Sequence, residues 1–186
     1  KPGYEAPVCV VTSLGKSVEF PSRNRTVLLG LVRSADTPMA TRFELRSPNP
    51  RSNTYLVLAA SYMAMLDGIK SALEAGKTPG DLEKSISKEF GEEDFYLEKD
   101  REYRSELDVF DDYTQEERDR LFGRAPATVW ENLCALETHK DRLYVLKEGQ
   151  VMPSIVLKSY CEQTLSQWKT ELHDRIIPDT MNVIRG

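Results

Sequence analysis

Arg42-Phe43-Glu44-Leu45-Arg46 is the first segment whose residue types and spacing can do chemistry. In an extended strand alternate side chains share a face, so Arg42, Glu44 and Arg46 point one way and Phe43 and Leu45 the other. One carboxylate between two guanidiniums suits a site that handles an anion together with a divalent cation. Guanidiniums grip phosphate or carboxylate oxygens through paired hydrogen bonds. An ionised carboxylate oxygen is the ligand type that Mg²⁺ or Mn²⁺ prefers. The same spacing also fits an exposed edge strand with a solvated outer face, where ion pairs contribute little. A second cluster, Ser22-Arg23-Asn24-Arg25-Thr26, stands at the mouth of an apolar run. Arginines there either grip a phosphate or line a loop. Pro2-Gly3-Tyr4-Glu5-Ala6-Pro7 sets one carboxylate, Glu5, in a turn-forming segment.

The elements that must position these residues are strands. Val8-Cys9-Val10-Val11-Thr12 is β-branched, and the run from Thr26 to Val32 is apolar enough to be buried on both faces. Thr41 to Arg46 alternates charged with apolar, the period of a strand with one dry face. From Ser52 onward the chain reads as helix. Tyr55 to Ile69 is apolar nearly all round, which predicts a buried helix. Thr78-Pro79-Gly80-Asp81 opens the next helix with a cap, a proline in the first turn and a carboxylate near free N–H groups; its core face is Leu82, Ile86 and Phe90. Thr114 to Glu117 and Thr128 to Glu131 are capping boxes, the latter opening a helix with Val129, Leu133 and Leu136 on one face. A last helix runs from about Ser154 to Arg175 with Val156, Tyr160, Leu165, Trp168 and Leu172 as its stripe, limited by Pro178. The fold class is therefore α+β. A small antiparallel sheet over residues 8–46 precedes a mainly helical region whose helices make most of the core, and its open edge invites pairing with another copy.

Composition narrows the function. The 186 residues carry 25 Lys and Arg against 30 Asp and Glu, and 40% are hydrophobic, which is globular and mildly acidic. An acidic balance argues against nucleic acid or an anionic membrane as partner. No apolar run is read as approaching the roughly 20 residues of a bilayer span, and the opening residues lack the apolar stretch of a signal peptide. Cys9, Cys134 and Cys161 are too widely spaced for a disulfide framework, so they read as reduced thiols of a cytoplasmic protein. With His139 and His173 alone, chemistry must rest on carboxylates and guanidiniums. Between Glu92 and Arg120, thirteen Asp and Glu face five Lys and Arg. That stretch is either a cation site or basic partner's dock, or a solvated surface. Aromatic residues interleave the acids without calcium-loop spacing, which favours the solvated surface.

In order, Pro2-Gly3-Tyr4-Glu5-Ala6-Pro7-Val8, Ser22-Arg23-Asn24-Arg25-Thr26, Arg42-Phe43-Glu44-Leu45-Arg46-Ser47-Pro48-Asn49-Pro50, Asn53-Thr54-Tyr55-Leu56 and Leu66-Asp67-Gly68-Ile69 closely resemble glutamine synthetase of the bacterial type I kind. The resemblance implies that residues 1–70 are the C-terminal part of a catalytic domain and 71–186 a helical C-terminal region. It implies ligation of ammonia to glutamate, driven by ATP through a γ-glutamyl phosphate, with Mg²⁺ or Mn²⁺ as cofactor and a dodecamer-like ring as assembly. Glu5 resembles the flap carboxylate that accepts a proton in the ammonia step. Arg25 resembles the arginine that stabilises the transferring phosphoryl group, and Arg42, with Arg23, is similar to nucleotide-binding arginines. Glu44 resembles a metal ligand and Arg46 the arginine that meets the substrate glutamate. One departure stands out: where the family carries an arginine after the second strand's apolar run, this chain has Gly30-Leu31-Val32. Further metal ligands and an N-terminal domain would lie upstream of Lys1, so the chain alone is expected to be inactive. Two other readings stay open: a γ-glutamyl ligase acting on an amine other than ammonia, and a non-catalytic helical interaction domain.

Overall fold

A computed structural model describes residues 11–34, 36–48, 52–124, 126 and 129–170. The chain divides into two compact units, one of residues 1–52 and 69–125, the other of residues 53–68 and 126–186.

The first unit holds the sheet. Strands β1 (Thr12–Ser13), β2 (Leu29–Val32) and β3 (Arg42–Leu45) lie in that order. β2 and β3 pair antiparallel, Leu29 opposite Leu45, Gly30 opposite Glu44 and Val32 opposite Arg42. β1 joins β2 in parallel, so the sheet is mixed where an antiparallel one was expected. The cause is the long connection from Leu14 to Leu28: parallel pairing requires a crossover of about a dozen residues or more, and a short hairpin would have forced the opposite sense. The outer edge of β1 is occupied by residues from far along the chain. Thr12 N–H donates to the Tyr103 carbonyl at 2.9 Å, and Ser105 N–H donates to the Thr12 carbonyl at 3.1 Å.

Val27, Val109 and Phe122 form the fully buried centre of this unit, with Phe110, Tyr113 and Leu121 packed around them. The Tyr113 and Phe122 rings meet edge to face at 5.1 Å, an arrangement favoured by the ring quadrupoles. The residues leading into β2 therefore share a core with the acidic stretch, which is more than a solvated surface. Lys88, itself buried, donates from Nζ to the carbonyls of Lys99 and Arg101 at 3.0 and 2.6 Å and ties that loop down.

Helices α1 (Thr54–Glu74), α2 (Pro79–Ile86), α3 (Gln115–Leu121), α4 (Val129–Thr138), α5 (Tyr144–Lys147) and α6 (Ser154–Gln167) follow. The caps read from sequence form as expected. Thr78 and Asp81 make a reciprocal capping box on α2, and Thr114 and Glu117 one on α3. Hydrogen bonds from the Thr78 side chain and backbone hold the Asp81 carboxyl below its ordinary value. Thr128 lies outside the described residues, as does the chain from 171 onward.

Burial departs from expectation on three helices. α1 is not a buried helix: Met63 and Ala72 are enclosed, but Tyr55 is 85% and Leu73 71% exposed. A helix apolar all round offers no periodicity that says what covers it. By length and composition α1 also meets the requirement for crossing a membrane, contrary to the reading that no run comes close. On α2 the buried position is Ser85, while Leu82 and, beyond the helix end, Phe90 stay exposed. On α6 the enclosed residue is Leu157, with Cys161, Leu165 and Trp168 half-buried, so the inward face is rotated away from Val156 and Tyr160. In the second unit α4 packs against α6, and Leu133, Met152 and Leu157 are buried there.

Candidate active site

Glu44 of β3 and Arg46 just beyond it turn partly inward while Phe43 and Leu45 face out, the reverse of the strand with one dry apolar face; Arg42 stays exposed. Phe43 is 64% exposed, whereas the Arg46 side chain is only 20% exposed. The register explains the inversion. Glu44 faces Gly30 across the ladder, and residues directly opposite share a face. A strand position without a side chain leaves room for a neighbour to fill. The Arg46 guanidinium fills it: a Cβ built on Gly30 would lie 2.8 Å from Arg46 Cζ. From there Arg46 donates from Nη1 to the Val27 carbonyl at 3.2 Å.

Glu44 is bracketed. Its Oε1 accepts from Arg42 Nη2 at 3.0 Å and its Oε2 from Arg46 Nη2 at 3.4 Å. This trio and the second cluster line one cavity of about 270 Å³, whose wall includes Arg23, Arg25, Arg42, Glu44 and Arg46 together with Ser13, Ser22 and Asn24. The two segments singled out in the sequence thus converge. A larger open cavity of about 660 Å³ adjoins through Arg23 and Arg25 and reaches Lys16, Phe20, Glu106 and Asp108. Glu5 lies outside the described residues.

Arg42 and Arg46 are engaged with Glu44, but Arg23 and Arg25 have no hydrogen-bond or ion-pair partner among the described residues and remain exposed. Unpaired guanidiniums on a cavity wall are available to an incoming anion. Among the described residues no three His, Cys, Asp or Glu side chains gather to hold a metal ion, in the acidic stretch or elsewhere. Glu44 fits a divalent ion as a single oxygen ligand, which matches the habit of Mg²⁺ to take one or two carboxylates and fill its sphere with water and phosphate oxygens.

Four residues to which the sequence assigned no role in the site shape it. Gly30 makes room for Arg46. Asn24 is held on both sides of its amide, donating from Nδ2 to the Ser105 and Leu107 carbonyls at 3.3 and 2.6 Å and accepting at Oδ1 from Thr26 N–H at 2.9 Å. Ser13 donates to Glu106 Oε2 at 2.6 Å. Glu106 also accepts from the Leu14 and Gly15 amides, each at 3.0 Å, and from Arg104 Nε at 2.9 Å. Burial alone would push the Glu106 carboxyl up; the bonds from Ser13, Arg104, Leu14 and Gly15 outweigh it and hold the carboxyl below its ordinary 4.5. Its contribution is therefore present above that value and lost as the pH falls through the lowered one. Only Gly30 left a signal, a glycine inside a strand pattern.

Gly30→Ala tests the Arg46 contact. The new methyl group must expel the guanidinium, the tip of a flexible side chain, so the melting temperature should change little. Anion affinity at the cavity should fall about tenfold, the equivalent of roughly 1.4 kcal/mol. Unchanged affinity measured by calorimetry would show that Arg46 does not depend on this space.

The sheet turns guanidiniums and a carboxylate toward one cavity, an arrangement of charge that suits an anion. Over residues 1–94 the chain matches the family model of the glutamine synthetase catalytic domain, and it belongs to that family. It is 34% identical over 128 residues to a glutamine synthetase of Frankia alni, an alignment covering 59% of this chain and 24% of the relative. A glutamine synthetase of Rhizobium meliloti is 37% identical over 122 residues, covering 60% and 24% respectively. That of Clostridium saccharobutylicum is 44% identical over 85 residues, covering 46% and 16%. The chain thus spans about a quarter or less of the length of these relatives.

Proposed function

We propose that the chain supplies the phosphoryl-handling part of an ATP-dependent ligase that joins ammonia to glutamate. In that reaction a γ-carboxylate oxygen of glutamate attacks the terminal phosphorus of ATP, releasing ADP. Ammonia then attacks the acyl carbon and phosphate leaves. Phosphoryl transfer asks mainly for charge neutralisation and alignment. The observation that carries the reading is the convergence of Arg23, Arg25, Arg42, Glu44 and Arg46 on one cavity. Arg25 neutralises the phosphoryl group in flight, Arg23 and Arg42 hold the nucleotide phosphates, and Arg46 orients glutamate. Glu44 offers an oxygen to Mg²⁺ or Mn²⁺, which when bound supplies further neutralisation of phosphate charge. Glu5 accepts a proton in the ammonia step.

The same reading makes residues 1–70 the catalytic part, 71–186 a helical C-terminal region, and the working protein a cytoplasmic ring of identical subunits. α1 lies inside the segment that matches the catalytic domain, so we take it as a globular helix rather than a membrane span. One carboxylate ligand does not secure a catalytic metal site, so the 186-residue chain alone should make no glutamine. The test is glutamine formation from glutamate, ATP and ammonia by the polypeptide that carries this chain within a full catalytic domain, beside the 186-residue chain itself. Activity in the longer form only is expected. Turnover by the short chain above a no-enzyme control, or none in the longer form, would overturn the reading.

A further inference from the structure

Arg23 and Arg25 flank Asn24, and among the described residues neither guanidinium is held by another side chain. Something else must fix the backbone from which they project. The acidic stretch does so. Asn24 N–H donates to the Ser22 hydroxyl at 3.1 Å. The Ser22 and Ser13 hydroxyls are hydrogen-bonded to each other. Ser13 gives its proton to Glu106, which leaves Ser22 as the donor in that pair. A chain of donors thus runs from the residue between the two arginines to one carboxylate. The carbonyls flanking Glu106 in sequence, those of Ser105 and Leu107, take both amide hydrogens of Asn24. Thr26, whose hydroxyl donates to Asn24 Oδ1 at 2.6 Å, accepts from Val109 N–H at 3.0 Å.

We infer that Glu106 is a positioning residue for the Arg23 and Arg25 pair, acting through Ser13, Ser22 and Asn24 without touching substrate. Its two oxygens each take two donors: Oε2 from Ser13 and Gly15, Oε1 from Leu14 and Arg104. A neutral amide cannot replace it. Glutamine has one acceptor oxygen, and its NH₂ group would face two donors. A donor left without an acceptor in a partly buried place is costly, so the turn should shift rather than tolerate it. The inference rests on the proposed function for the consequence at the arginines; the brace itself is independent of it.

Glu106→Gln and Glu106→Asp are compared with the unaltered chain by amide hydrogen exchange and by titration with inorganic phosphate. In Glu106→Gln, exchange at Leu14, Gly15, Asn24 and Thr26 should quicken at least tenfold, while protection at Phe122 holds. Phosphate affinity should fall about tenfold. Glu106→Asp keeps both acceptor oxygens and should recover part of each effect. Unchanged exchange at the four amides would overturn the inference, as would faster exchange with wild-type phosphate affinity. If the unaltered chain binds no phosphate yet the four amides respond, the proposed function fails and the brace stands.

Discussion

Phe122→Ala should cost about 3–5 kcal/mol, the range for truncating a fully enclosed aromatic ring. Phe122 is 1% exposed and shares its contacts with Val27 and Val109, both fully buried. The lost ring forfeits its edge contact with Tyr113 and leaves a void that the surrounding backbone can close only in part. Val27 lies two residues before β2, and Val109 N–H holds Thr26. Loosening this core therefore reaches both the sheet and the arginine loop. The measurement is amide protection at Val27 and Val109, which should drop by more than about a hundredfold, since each 1.4 kcal/mol is tenfold. Phe122→Leu, which refills most of the space, should lose much less. A loss below about 1 kcal/mol for the alanine variant would mean that the core is not where the burial places it.

The second large effect is expected at Glu44. Its two oxygens separate the Arg42 and Arg46 guanidiniums at 3.0 and 3.4 Å. Glu44→Gln keeps the shape but removes the charge, leaving two cations facing each other and one fewer ligand for a divalent ion. In the ligase reading, turnover should fall by roughly 10²–10³, the range for losing one preorganised electrostatic element, with weaker Mg²⁺ or Mn²⁺ binding and little loss of folding. Glu5→Gln should differ. ADP release without ammonia should persist, while glutamine formation slows, because in that reading the Glu5 base acts after phosphorylation. Wild-type metal affinity in Glu44→Gln, or a wild-type rate of glutamine formation in Glu5→Gln, would show the assigned roles to be wrong.

What could be read in the sequence was what is decided locally. The capping boxes at Thr78 and Thr114 are complete within four residues. The alternation in Arg42 to Arg46 is a property of the strand itself, and the convergence of Arg23 and Arg25 with it follows from β2 pairing with β3. The rest depended on partners far away in the chain. The parallel sense of β1 is set by a connection whose path no motif announces. Glu106 stands among thirteen acids and looks like any of them until Ser13, 93 residues earlier, is beside it. The inversion of β3 hinged on Gly30, which reads as a lost arginine in one dimension and as space for Arg46 in three. α1 failed for the opposite reason: its apolar character is so uniform that the pattern contains no direction.

The docking of residues 103–109 on β1 and on the arginine loop also bears on how the protein is made. A ribosome delivers β1, β2, β3 and both arginine clusters well before it delivers Glu106, Val109 and Phe122. Until then Val27 has no core to enter and the Ser13–Gly15 turn has no acceptor. Contacts between residues some 90 positions apart must also repay a large loop-closure entropy before they stabilise anything. The arginine loop is therefore among the last parts of this unit to acquire its shape during translation. Its readiness for an anion comes with completion of the segment through Phe122, so an unfinished chain carries the arginines but not yet the pocket.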